Sequence, residues 1–402
     1  MIKGFIYYKE KRIPFVIEKF EMELFTDDPV ICEFTKEYNF QTDYVLTGEC
    51  FYGGVTSRKI TINVERSMGT TCYIICFLIS QINYYNQFDA ITFKSTLLDS
   101  IFRYKYNYLD IARAGGNLSA ETKEVYCIPF SIADKPYELK YIIGHRQQLG
   151  LLESFEMAGR TVVSVNSTDI KECYKIVVLL ERFMKFISKS SDTYFQRITF
   201  TDGEISAGFF YCKSVSEGVP LEMDMSYYNF DVMKYAPKII ANLAKELGNR
   251  ITESMTLGHI GNYVTMFTPL RFIEQIIAFE YLFEKLEPQK ANQRDFYLVD
   301  ELELMFNYFP NIIARDTKNA HEVAYDLKRL RIDIVHGHVY YYDFSSNHRI
   351  KYYMLKLDEL IENMNLRLAG FKQRWTRGYK RYKETSGLIE WKECQIFHSI
   401  FT

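Results

Sequence analysis

The chain predicts an α+β protein: an antiparallel β-rich N-terminal domain over residues 1–232, followed by an α-helical C-terminal domain over residues 233–402. Three observations lead there. Apolar residues alternate with period two through most of the first part. Near residue 232 the period changes to that of a helix, with Pro and Gly at the breaks. No internal repeat or low-complexity segment interrupts either pattern.

In the first part, Ile60-Thr61-Ile62-Asn63-Val64 alternates as a half-buried strand does. Cys72 to Ile79 is a short apolar run, read as a buried strand or a short core helix. Residues 125–131 and 138–143 read as strands around a turn at Ala133-Asp134-Lys135-Pro136. Residues 198–200 and 205–211 flank Asp202-Gly203, a hairpin signal. Between these pairs lies a helix, with Thr168 as its cap and Ile170, Tyr174, Val177, Leu180, Met184 and Ile187 at helical spacing.

In the second part, Pro237 is placed to open a helix that Gly248 ends. Pro269 opens a longer helix that stops at Pro288. Further helices are expected over about 295–309, 318–336 and 352–370. Several helices with short connections predict a bundle.

Composition narrows the function classes. The net charge is −2, so any nucleic-acid contact must come from local patches. Aromatics make up 16%, which argues against disorder. The eight Cys are scattered without a CxxC pair and read as reduced core thiols. The N-terminus lacks the long apolar region of a signal peptide, and the Cys72–Ile79 run is too short to span a bilayer. The expectation is a soluble, cytoplasmic protein with no membrane partner.

The chemistry concentrates in Leu330-Arg331-Ile332-Asp333-Ile334-Val335-His336-Gly337. Arg331 is a permanent cation suited to phosphate, and His336 exchanges a proton near neutral pH. A five-residue step on a helix separates the two by about 140° and about 7.5 Å along the axis. One copy makes a poor catalytic pair, whereas a two-fold axis interleaves two Arg and two His around one phosphate. The plainer alternative is a histidine at a helix end and an arginine paired with Asp333 or Glu322.

Leu-Arg-x-x-Ile-Val-His-Gly, late in a helical domain, resembles the HEPN ribonuclease family (higher eukaryotes and prokaryotes nucleotide-binding domain), whose signature is Arg, four to six residues, His. The segment Ile276-Ile277-Ala278-Phe279-Glu280-Tyr281-Leu282 is similar to that family's first long helix, which often carries a Glu. A β-rich domain before such a bundle is similar to the ApeA-type HEPN proteins of bacterial antiviral defence, and Ile91-Thr92-Phe93-Lys94-Ser95 resembles a segment of theirs. The resemblance implies metal-independent RNA cleavage by a homodimer formed through the C-terminal domain, with no cofactor. It makes His336 the acid/base and Arg331 the phosphate-binding cation, with Asp333, His338 and Glu280 as supporting residues. It also implies antiviral, abortive-infection or toxin action, and leaves the N-terminal domain to sense a phage-derived or regulatory ligand. Many members carry a polar residue after the Arg; here Ile332 stands there and the acid follows as Asp333. Arg331 to His338 and Arg329 to His336 also fit the spacing, but the Ile-Val-His-Gly ending favours Arg331 with His336. The alternative is a non-catalytic HEPN-like module that binds RNA, a nucleotide or a protein.

A second feature runs from Phe371 to Lys383. Lys372, Arg374, Arg377, Lys380, Arg381 and Lys383 alternate with four aromatics and no acid. Cations follow phosphates while rings stack on bases. Trp375, Tyr379 and Tyr382 equally suit the buried face of a helix. His336-Gly337-His338 lacks third and fourth ligands at metal-binding spacing, so no metal is expected. Tyr340-Tyr341-Tyr342 reads as strand or core before it reads as a stacking site. There is no P-loop, GxGxxG, HExxH or GxSxG.

Overall fold

The computed structural model describes residues 1–25, 44–51, 57–81, 88–103, 123–146, 156–165, 169–188, 193–203, 205–215, 229–245, 268–293, 295–313, 318–338 and 348–368. The chain divides into two compact units, one of residues 1–181 and 193–229, the other of residues 182–192 and 230–402. No described helix is long and apolar enough to cross a membrane.

The first unit is an antiparallel β structure with a closed end. Six strands, β1 (Ile2–Tyr8), β2 (Lys11–Glu18), β3 (Glu21–Leu24), β4 (Tyr44–Phe51), β5 (Ser57–Met68) and β6 (Thr71–Ser80), follow the order β3-β2-β1-β4-β5-β6. Pairing of Glu21–Glu23 with Thr71–Tyr73 joins β3 back to β6 and closes a barrel. Each strand supplies alternate residues to its interior, among them Ile6, Phe15, Met22, Leu46, Ile62 and Ile74. Gly4 and Gly48 let β1 and β4 approach, because a Cβ at either would stand 2.1 Å from a carbonyl oxygen of the facing strand. Register shifts around Val64 bend β5, as closure requires. Lys9-Glu10 and Lys19-Phe20 make the two tight turns with positive φ.

Strand β6 leaves the barrel at its far end, where Cys76–Ser80 pair with another strand. From there the sheet continues through β12 (Ile205–Cys212), β11 (Arg197–Asp202), β7 (Ala90–Lys94), β10 (Glu156–Ser164), β9 (Lys135–Arg146) and β8 (Lys123–Ile132). The Cys72–Ile79 run is therefore strand, and burial of all five residues 76–80 explains why it is apolar without alternation. The Asp202-Gly203 hairpin forms, with Gly203 at φ +58°. The turn between β8 and β9 is tighter than the sequence predicts. Ala133 and Asp134 alone make it, at φ +47° and +66°, and Pro136 is already paired with Ser131. Helix α1 (Thr96–Arg103) follows β7. Helix α2 (Ile170–Ser188) buries Ile176, Val177, Leu179 and Leu180. Asp169 stands just ahead of it and accepts a hydrogen bond from the Lys171 N–H at 2.9 Å. Thr168, the expected cap, lies outside the described residues. Glu172 ties α2 to β9 by accepting from Lys135 Nζ at 2.8 Å and from the Tyr137 hydroxyl.

The second unit is helical: α3 (Asn229–Lys245), α4 (Pro269–Leu286), the single turn α5 (Pro288–Ala291), α6 (Leu298–Tyr308), α7 (Ala320–Val335) and α8 (His348–Leu368). Pro237 does not open α3 but sits inside it. The helix tolerates the lost hydrogen bond because Ala236, Ile239 and Ile240 around the proline are buried at 0–1% exposure. Pro269 does open α4, with the Thr268 hydroxyl accepting from the Arg271 N–H at 3.1 Å. Helices α4, α6, α7 and α8 share one core, whose largest members include Phe272, Phe279, Phe283 and Phe306. One ion pair is buried between α4 and α8. Arg271 meets Asp358 at 3.2 Å, and Gln275 donates to the other carboxylate oxygen at 2.5 Å.

Candidate functional site

Helix α7 carries the candidate site at its C-terminal end. Its start is fixed by a capping box. The Asn319 side chain accepts from the Glu322 N–H at 2.9 Å, and Glu322 accepts from the Asn319 N–H at 2.8 Å. Glu322 is thus engaged at the start of the helix, about two and a half turns from Arg331. Ala320, Val323, Ala324, Leu327 and Leu330 face the core at helical spacing. That orientation turns Arg331 to solvent.

The helix ends in a Schellman turn, which accounts for the Ile-Val-His-Gly-His sequence. The Gly337 N–H donates to Ile334 O at 3.0 Å, and the His338 N–H donates to Asp333 O at 2.8 Å. Gly337 supplies the left-handed residue the turn requires, at φ +72°. His336 is the cap residue and His338 lies two beyond it. Their rings stand 6.0 Å apart at 29°, both in solvent. His338 Nδ1 is 3.9 Å from the Asp333 carboxylate. The turn therefore gathers two imidazoles and a carboxylate at one exposed helix terminus.

Arg331 belongs to a second cluster. Burial pushes the Glu280 carboxyl of α4 above its ordinary range, and the Arg331 charge pulls it partly back. Burial, with the negative charges of Glu280 and Asp300, raises Glu301 of α6 to about 7. Glu280 of α4 thus lies within electrostatic reach of both Arg331 of α7 and Glu301 of α6. Glu301 was not among the residues the sequence singled out. Its signal is an acid set directly beside the core residue Leu302 in Leu298-Val299-Asp300-Glu301-Leu302. The pair Arg331 and His336 stays split between these two clusters, as the 140° offset requires.

Exposed apolar residues continue along the same helix. Tyr325, Ile332 and Val335 are 54%, 40% and 63% exposed. At i, i+7 and i+10 they lie within one flank of α7, beside the candidate site. Lys372, Arg374, Arg377, Lys380, Arg381 and Lys383 lie outside the described residues, as do Tyr340-Tyr341-Tyr342. The cysteines Cys50 and Cys212 are buried, and burial lifts both thiols to about 12. They are packing residues, not nucleophiles. Comparison with protein-family models, curated proteins and solved structures finds no match to this chain.

Proposed function

We propose that the chain is a metal-independent endoribonuclease of the HEPN type, acting as a toxin or an antiviral effector. The observation that carries this reading is the end of α7, where Arg331 in the last turns of the helix and His336 at its Schellman cap are both exposed. A solvent-open cation and imidazole are what phosphodiester cleavage requires, and neither is spent on the core.

The RNA 2′-OH attacks the adjacent phosphorus, and the bond from phosphorus to the 5′-oxygen breaks. His336 takes the 2′-OH proton, and an imidazole returns one to the leaving oxygen. Arg331 stabilises the extra negative charge on the phosphorane-like transition state. The products are a 2′,3′-cyclic phosphate and a 5′-hydroxyl. A homodimer through the helical unit supplies the second imidazole. The exposed Tyr325, Ile332 and Val335 flank of α7 favours such self-association, since it places apolar surface beside the site.

Expression in a bacterial host tests the reading. Wild type arrests growth, while Arg331→Ala and His336→Ala each relieve the arrest at equal protein level. Equal toxicity of both variants and wild type refutes it. Titrating His336→Ala subunits into wild type tests the shared site, because activity then falls faster than the wild-type fraction. A monomer with full activity by light scattering excludes it.

A further inference from the structure

The outer face of the barrel carries an organised aromatic and cationic surface that the cleavage reading does not use. Along β1 the outward residues are Lys3, Phe5 and Tyr7, and β4 faces them with Phe51 and Glu49. Lys3 pairs in register with Phe51, Phe5 with Glu49, and Glu49 with Lys59 of β5. These side chains therefore share one face. Tyr7 and Phe51 are 42% and 43% exposed.

The arrangement is held in place. Arg12 of β2 lies over the Phe5 ring at 4.2 Å, and its guanidinium approaches Glu49 at 3.9 Å. The Ser57 hydroxyl donates to Glu49 at 3.2 Å, and a hydrogen bond from the Tyr7 hydroxyl to Glu49 pushes the phenol pKa up. Phe5 and Phe51 meet edge to face at 6.2 Å. One carboxylate thus fixes a tyrosine, an arginine and a serine around exposed rings. Three cations, Lys3, Arg12 and Lys59, lie around Glu49, so this patch is positive in a chain of net charge −2. Beyond Lys3 in the same row, Val16 separates it from Glu23 of β3, so the exposed Glu21 and Glu23 bound the patch at that edge.

We infer that this face binds single-stranded nucleic acid, with unpaired bases stacking on Tyr7 and Phe51 and phosphates meeting Lys3, Arg12 and Lys59. Exposed rings held by a fixed network stack on bases without the entropy loss of ordering them first. The surrounding cations complement a phosphate backbone, and a closed barrel presents them on a stiff support. A duplex hides its base faces and gains only the phosphate contacts.

The inference concerns binding alone and stands or falls apart from cleavage. The test uses the full chain with His336→Ala, so that RNA stays intact, and a labelled oligouridylate of about 12 nucleotides, a length within the span of one small barrel. Phe51→Ala and Tyr7→Ala should each weaken binding roughly fivefold to a hundredfold. Lys3→Gln and Lys59→Gln should each reduce the slope of log affinity against log salt by about 0.7. Substitutions at these exposed positions leave the barrel folded, which an unchanged thermal midpoint verifies. Unchanged affinity in both ring variants overturns the inference. So does equal competition by a duplex RNA, which would mean phosphate contact without stacking. If Phe51→Ala instead alters self-association and not RNA affinity, the face is a protein contact and the inference fails.

Discussion

Replacing Glu301 by Gln should make the protein more stable, and only above a defined pH. The Glu301 carboxyl rises from an ordinary 4.5 to about 7 because it is part-buried, with Glu280 and Asp300 adding negative charge nearby. Below pH 4.5 both folded and unfolded chains hold the proton, so the glutamate imposes no electrostatic cost. Between 4.5 and 7 the folded chain keeps a proton that the unfolded chain has lost. Stability of the wild type therefore falls as pH rises through this window, and the full cost stands above pH 7. The whole displacement corresponds to about 3.4 kcal/mol. Partial exposure screens it to about 1–2 kcal/mol. Gln mimics the protonated form, so the variant should match wild type near pH 3.5 and exceed it by that amount at pH 8. Urea denaturation of both proteins across this range, followed by helical circular dichroism, measures the difference. A difference that stays flat with pH, or a variant weaker than wild type at pH 8, refutes the electrostatic coupling of α4 and α6.

Other substitutions probe the parts that hold the site. Gly337→Ala should cost about 1–2 kcal/mol by denaturation, because the position is left-handed while nothing lies within 4 Å of the added Cβ. The cost is then conformational alone. Asp358→Ala should destabilise by about 3–5 kcal/mol, since it strands the buried Arg271 guanidinium; a loss below about 1 kcal/mol would show that water reaches that charge. RNA cleavage should persist in excess EDTA, because the proposed chemistry runs on Arg331 and His336; loss in EDTA with recovery on adding magnesium or manganese would replace the mechanism.

Local signals decided which elements could be read from the sequence. Asp202-Gly203 and Pro269 act through their own backbone geometry, so the hairpin and the start of α4 follow from a few residues. Barrel closure was not legible. The pairing of β3 with β6 joins Glu21–Glu23 to Thr71–Tyr73, far apart in the chain, and no local residue announces it. Pro237 misled because a proline opens a helix by propensity, whereas burial of Ala236, Ile239 and Ile240 carries α3 straight through it. At the candidate site, the helix end at His336 was legible from the helical spacing that precedes it. The approach of Glu301 to Glu280 was not, since it depends on how α4, α6 and α7 pack. Glu322, weighed as a partner for Arg331, is spent on its own helix cap.

Arg331 and His336 are proposed to cleave RNA. Sequencing of RNA ends after induction tests this most directly, comparing wild type with Arg331→Ala and His336→Ala. Wild type should generate new 2′,3′-cyclic phosphate ends, each paired with a 5′-hydroxyl, and both variants should lack them at equal expression. RNA ends that are the same in all three strains would contradict the account.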